Sequence, residues 1–299
     1  MADILIKNVR VMQTKPPFSI QEDVDVVITG DIIEKVEKNA SSSIEAKRVI
    51  DGRGKTLIAG NVCSHHHYYS GLSRGMLISA GPQEDFIQVL KEWWWRLDRG
   101  LDEEACYYSS LICSMDAICS GTTSCIDHHA SPEYIGGSLS TIAKGMEEIE
   151  QGVEENVRFA NEVDEKISRK ENVLVQSMIG GHAPFTIPED GMRLMKEAVD
   201  KTNRGMHLHI AEAHYDQIHS HHIYGEDIVA RLDRHGLLSD KTLLVHGVWL
   251  NDKEIEIVNK RKCFFAHNGR SNMNNHIGYN HKLPKIDRLV LGTDGCGGN

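Results

Sequence analysis

The sequence predicts an α/β protein whose main body is a mostly parallel sheet, preceded by a small all-β segment. Three observations carry this expectation. From about residue 58 onward, strand-like and helix-like stretches alternate, the pattern left by parallel strands joined through crossover helices. Residues 1–60 instead hold short apolar runs punctuated by turn residues. The chain has 299 residues, 40% of them apolar and 25% charged, so it can bury a large core and has the composition of a soluble globular protein.

In the first segment, Ile4–Ile6 and Val9–Val11 read as strands flanking a turn at Lys7–Asn8. Val24–Val36 reads as two strands around Thr29-Gly30-Asp31, and Val49–Ile50 and Thr56–Ile58 follow. The later strands are expected at 58–65, 121–128, 173–181, 205–211, 242–248, 263–267 and 288–293. Helical patterning lies between them, at Asp85–Leu97, Glu103–Ser120, Leu139–Ser168, Pro188–Lys201, Gly225–His235 and Asp252–Lys260.

Net charge is -10, from 33 Lys and Arg against 43 Asp and Glu. That balance argues against non-specific nucleic-acid binding. No apolar run of about 18 residues is present to span a membrane, and the first residues do not form a secretory signal. The seven cysteines contain no CxxC, so reduced, mostly buried thiols in a cytoplasmic protein are expected.

Histidine is the outlier, at 17 residues, and the histidines fall at strand ends. Ser64-His65-His66-His67 closes the first strand of the α/β body. Alternation puts His65 and His67 on one face, about 6–7 Å apart along the strand, where both can reach one ion. His207 and His209 share a face in Met206–Ala211, with Glu212 where the chain leaves the strand. His246 closes Leu243–Val245, and Asp294 follows Leu289–Gly292. Each feature alone fits a packed or solvated residue, and a lone Asp there fits a turn or cap. Together they put imidazoles and carboxylates at the C-terminal ends of several strands, the active-site face of a parallel α/β barrel. Such a set suits Zn²⁺ or another borderline divalent ion.

These stretches resemble the amidohydrolase superfamily, in its deaminase and chlorohydrolase branch and closest to SsnA-type putative aminohydrolases. The resemblance rests on Asn61–His67 with Ser73–Met76, Ile126–Pro132, His209–Glu212, Ser271–Asn275 and Gly292–Gly295. It implies a (β/α)8 TIM-type barrel with a small β-sandwich portion, divided here at 1–60 and 61–299. It implies one divalent metal ion, Zn²⁺ with Fe²⁺ as the alternative, held by His65, His67, His209 and Asp294. Glu212 and His246 are then the catalytic partners, and Asp294 also relays a proton to departing ammonia. The stretch Val173–Ile179, where two-metal members carry a carboxylated lysine, has no lysine, which favours one metal. The implied reaction is attack of activated water on an amino-bearing carbon of a small nitrogen heterocycle, with Glu212 moving the proton to the ring.

Other residues are candidates for the pocket. His182 ends a further strand, and Arg270 and Asn272 follow the strand carrying His267, so all three are expected substrate contacts. One of His128 and His129 must point inward. Trp93–Trp95 is expected to be mainly core, and His219, His221 and His222 to be the solvated start of a helix. Two departures from the family pattern stand out. Only seven barrel strands are counted, with Thr141–Lys144 running into Gly145–Glu148 as though a strand were deleted, and the chain stops five residues after Asp294. The expected body is therefore a barrel lacking one strand and its C-terminal part. Three readings follow: a deaminase, a chlorohydrolase, or an inactive remnant that keeps its metal site. The partner is a small molecule rather than nucleic acid or membrane, with a homo-oligomer open.

Overall fold

The computed structural model describes residues 1–76, 79–142, 149–171 and 175–295. Cys296, one of the seven cysteines, lies outside the described residues, and the six within them are unpaired to one another by disulfide. The chain divides into two compact units, Met1–Asn61 and Val62–Asn299.

The first unit is one five-stranded sheet. Its strands are β1 (Ala2–Gln13), β2 (Ser19–Thr29), β3 (Ile32–Glu37), β4 (Ala46–Asp51) and β5 (Thr56–Leu57). The order is β3-β2-β1-β4, with β5 also on β1. The two facing sheets of a sandwich are not formed among the described residues of this unit. The turn expected at Lys7–Asn8 is instead an irregularity within β1. Asn8 adopts φ 55°, its N–H donates to the buried Asp25 Oδ1 at 3.0 Å, and the pairing with β2 shifts between Ile6 and Val9. Asn tolerates the left-handed region, so the strand bulges there rather than reversing.

The second unit carries seven strands among the described residues: β6 (Asn61–His66), β7 (Thr122–Asp127), β8 (Ile179–Gly180), β9 (Met206–Ile210), β10 (Leu243–His246), β11 (Phe264–His267) and β12 (Leu289–Leu291). β12-β11-β10-β9-β8 form a parallel sheet and β6 pairs with β7. A parallel bridge from His66 to Asp294 joins the two groups. At the other end, His128, just past β7, places its Nε2 2.9 Å from the Gly181 carbonyl, just past β8. The strands therefore run β7-β6-β12-β11-β10-β9-β8 around a ring whose seam is crossed by a side chain.

Each expected strand is present but shorter. The stretch 173–181 contributes only β8, and 172–174 lie outside the described residues. The proposed deletion falls mainly on 143–148, also outside them. Helices Leu139–Ile142 and Ile149–Ser168 flank that gap. The short α-helix Gly269–Asn274 is unexpected, and so is the longer His214–Tyr224. It contains His219, His221 and His222, which the sequence reading put before a helix, and the exposed His221 pairs with Asp227 at 2.6 Å.

Alternation along β9 shows how the core is divided. Met206, Leu208 and Ile210 face outward into the main apolar cluster with Met192, Met195, Ile228, Leu232, Ile255 and Val258 from the covering helices. The helix Glu189–Thr202 buries Met192, Met195 and Ala198 at helical spacing. Each such methionine stabilises the unit by about 1.5–3 kcal/mol. Inside the ring, Leu243, Val245, Ala266, Ile126, Met178 and Val290 form a second cluster, and the histidines of β6 and β9 share the interior.

Candidate active site

Period-two alternation on β6 and β9 brings His65, His67, His207 and His209 into the ring. His209 Nε2 lies 3.2 Å from His65 Nε2. Asp294 Oδ1 lies 3.0 Å from His65 Nε2 and 2.9 Å from His67 Nε2. One ligand atom from each of His65, His67, His209 and Asp294 thus falls within 4.8 Å of the others, and all four residues are buried. Glu212, His246 and Asp294 form a second such group.

The outer ring atoms fix how these imidazoles present themselves. His67 Nδ1 donates to the His128 carbonyl at 2.6 Å, and His209 Nδ1 donates to the His182 carbonyl at 2.9 Å. A carbonyl can only accept, so each neutral ring keeps a lone pair on Nε2, aimed at the shared point. His65 Nδ1 meets His207 Nε2 at 2.9 Å. His207 is therefore a support beneath His65 rather than a member of the convergent group.

Burial pushes the His65 imidazole down to about 3, against the pull of Asp294. His209 lies well below its usual value for the same reason, reinforced by His128 and His65. Burial also pulls His67 down, but the bond to Asp294, the charges of Asp294 and Asp127 and the His128 carbonyl together raise it. Burial alone would raise Asp294, yet His246, His65 and His67 hold the carboxyl well below its ordinary range. Three imidazoles that present Nε2 beside one carboxylate make a donor set that fits a tetrahedral Zn²⁺. Binding the ion requires the His67 ring to give up its Nε2 proton.

Backbone geometry turns the remaining groups inward. Alternation would send His246 outward with Leu244, but its φ of 71° redirects the chain. Its Nδ1 meets Asn272 Oδ1 at 2.9 Å, and its Nε2 faces Glu212 Oε2 at 3.5 Å and Asp294 Oδ2 at 3.9 Å. Ala211 and Asp294 are also left-handed, at 46° and 63°. Such strained positions cluster at functional sites. The glycines around Asp294 follow from close approach. A Cβ on Gly292 would lie 2.8 Å from His65 Cβ, and one on Gly295 would lie 2.4 Å from the Trp94 ring.

Glu212 is the buried acid of the site. Burial raises its carboxyl well above the usual range, and Asp294 and Asp216 add to the effect against a hydrogen bond from Asn275. The Glu212 N–H donates to Asp216 Oδ2 at 2.9 Å, which fixes the turn after β9.

These groups line one chamber together with His182, Trp94, Trp95 and Asp98. It adjoins an outer pocket of about 560 Å³ that shares Phe86, Trp94 and Asn275 with it and adds His214, Tyr215 and Trp249. His182 thus faces the chamber. Asn272 is buried behind His246, and the exposed Arg270 is not among the chamber's lining residues. His128 and His129 are both buried, with His128 in the ring of imidazoles. Trp94 is a pocket wall, because a wider, π-type turn at Leu90–Trp94 redirects the helix.

Sequence reasoning missed Asp98, Ser271 and Asn275. Asp98 is 8% exposed, and its Oδ1 has no partner. Burial raises its carboxyl to about 7, against the charge of His67 and a bond from Tyr69. Set between Arg96 and Arg99, it reads in sequence as a solvated ion-pair residue, and no local signal marks it. Ser271 and Asn275 carried only a family resemblance.

The amidohydrolase family profile matches residues 56–299. A 5'-deoxyadenosine deaminase of Methanosarcina mazei is 30% identical, over 100% of this chain and 70% of its own length. A 5-methylthioadenosine/S-adenosylhomocysteine deaminase of Thermococcus sibiricus is 29% identical, over 99% of this chain and 70% of its own length. Among solved structures, a zinc-bound adenosine deaminase from Xanthomonas campestris superimposes with a TM-score of 0.83 at 21% identity, over 100% of this chain and 70% of that one. The chain belongs to the amidohydrolase family. Its relatives are deaminases, hydrolases of carbon–nitrogen bonds, and the last similarity shows a shared fold. Among the described residues no helix is long and apolar enough to cross a membrane.

Proposed function

We propose that this protein is a deaminase dependent on one Zn²⁺ ion, acting on an amino-substituted nitrogen heterocycle of the purine-nucleoside class. The observation that carries the reading is the convergence of His65, His67, His209 and Asp294 on one point, with Glu212 and His246 facing it. The deaminase relatives support the choice of leaving group, and no observation favours loss of chloride. An inactive remnant has no need of a buried acid held beside such a donor set. Fe²⁺ suits the same donors.

His65, His67, His209 and Asp294 would hold the ion. When bound, Zn²⁺ lowers the pKa of water towards about 7 and so supplies a nucleophile at neutral pH. Glu212 carries the proton between the attacking water and the ring nitrogen. His246, held by Asn272, orients the attacking oxygen. Asp294, with Oδ2 towards His246, passes a proton to the departing ammonia. The balance is amine plus water giving the oxo heterocycle and ammonia. The reacting edge enters the chamber beside His182, and the rest of the substrate lies in the outer pocket. The unpartnered Asp98 Oδ1 is placed to take a hydrogen bond from the substrate. Arg270 has no part in this reading.

The test is ammonia release by the zinc-loaded protein from adenosine, 5'-deoxyadenosine, guanine and cytosine, with metal content measured alongside. One Zn²⁺ per chain and turnover of an adenine nucleoside are expected. Full zinc occupancy with no ammonia from any of them would overturn the reading.

A further inference from the structure

We propose that Ser271 and Asn272 are positioning residues that assign the two oxygens of Asp294 and the two ring nitrogens of His246 to separate tasks. The inference rests on the metal-site reading above and deepens it. Topology supplies the opportunity. β11 lies between β12 and β10, so the short helix Gly269–Asn274 that follows it starts between the ends of those two strands. Consecutive helical residues point about 100° apart, and here they reach to opposite sides. Ser271 Oγ donates to Asp294 Oδ2 at 2.5 Å, beyond β12. Asn272 Oδ1 takes the Nδ1–H of His246 at 2.9 Å, at the end of β10.

Each contact removes an ambiguity. A carboxylate offers two equivalent oxygens to a cation. With Oδ2 occupied by the Ser271 hydroxyl, Oδ1 alone remains beside the Nε2 atoms of His65 and His67. The length is that of a charge-assisted O–H···O⁻ bond, and Ser271 is 4% exposed, so water does not compete for the position. Asn272, also buried, keeps the His246 proton on Nδ1. Nε2 is left as an acceptor towards Glu212. Ser271 thus acts on metal holding, and Asn272 on the orientation of His246.

The two roles separate experimentally. Zn²⁺ affinity is measured by competition with a chromophoric chelator, alongside kcat and KM, for the wild-type protein, S271A, S271C, S271T and N272A, with folding checked by thermal melts. Loss of a residue supporting a metal ligand costs about 10–100-fold in affinity. That loss is expected for S271A and for the near-isosteric S271C, with recovery in S271T. N272A is expected to bind Zn²⁺ within about threefold of wild type and to lose about 10²-fold in kcat, the cost of a misplaced group, with KM little changed. Wild-type Zn²⁺ affinity in S271A or S271C overturns the proposal, as does an equal loss of affinity in N272A. A wild-type protein that binds no Zn²⁺ would instead remove the metal-site reading itself, and this inference with it.

Discussion

Replacing Glu212 with glutamine tests the chemistry at its centre. The side chain keeps its volume, so the chamber wall against His246 and Asn275 is preserved, and the backbone bond from residue 212 to Asp216 does not involve the altered group. What is lost is a carboxyl whose hold on a proton is strengthened by burial, Asp294 and Asp216. An amide cannot release and retake that proton. Positioned acid–base groups contribute about 10²–10⁴-fold in rate, or about 2.7–5.5 kcal/mol of barrier at 1.36 kcal/mol per tenfold. Glu212 lies outside the group of His65, His67, His209 and Asp294 proposed to hold the ion, so zinc content is expected to be unchanged. The assay is steady-state ammonia release at saturating nucleoside, with zinc measured on the same sample. E212Q retaining full zinc and a kcat within tenfold of wild type would refute the role given to Glu212.

Three further outcomes are expected. H209A removes a converging nitrogen and should lose stoichiometric zinc after dialysis; full retention would remove His209 from the ligand set. In the native protein, zinc at about 100 times its Kd should add about 2.7 kcal/mol of stability, read as a rise in Tm that H209A does not show. Asp98 bears on pH dependence. Burial raises its folded pKa to about 7, so the folded chain keeps a proton that the unfolded chain releases near 3.8. Stability is then lost as pH rises between those values. D98N cannot ionise, so its Tm advantage over wild type should be larger at pH 8 than at pH 4.5; an equal gap would refute the assignment. R231M tests the loop that follows His182. The Arg231 guanidinium, 1% exposed, bonds Glu189 at 2.9 Å and the carbonyls of Pro184 and Ile187 at 2.8 Å each. Glu189 is itself 44% exposed and keeps Arg234 and His235, so the cost is that of leaving the two carbonyls without their donor, about 1–3 kcal/mol each, read from the denaturant midpoint; a change under about 1 kcal/mol would show that the loop does not depend on it.

The legible part of the site was the part written in short-range period. HxH on β6 and on β9 places alternate side chains on one face, which depends only on the geometry of a strand. The illegible part depended on neighbours far apart in sequence. Ser271 carries only a family resemblance until β12 lies beside it. Asn272 reads as a substrate contact until His246 is found against it. Asp98 reads as solvated until Tyr69 and the tryptophans bury it. The Lys7–Asn8 turn was misread for the same reason, since Asp25, on the paired strand, is what holds Asn8 in a bulge.

The sequence by itself determined the alternation of strands and helices, the face on which His65, His67, His207 and His209 lie, and the concentration of ligand-type residues at strand ends. These follow from local backbone geometry and apolar patterning. The resemblance already picked His209 over His207; the reason comes from the tertiary structure, in which the two occupy different depths of one ring. Only the tertiary structure gave His246 its inward course, through a backbone angle that strand alternation does not anticipate. It also raised the proton affinity of Glu212, since that depends on how many charges and how little water surround a carboxyl once the chain has closed around it.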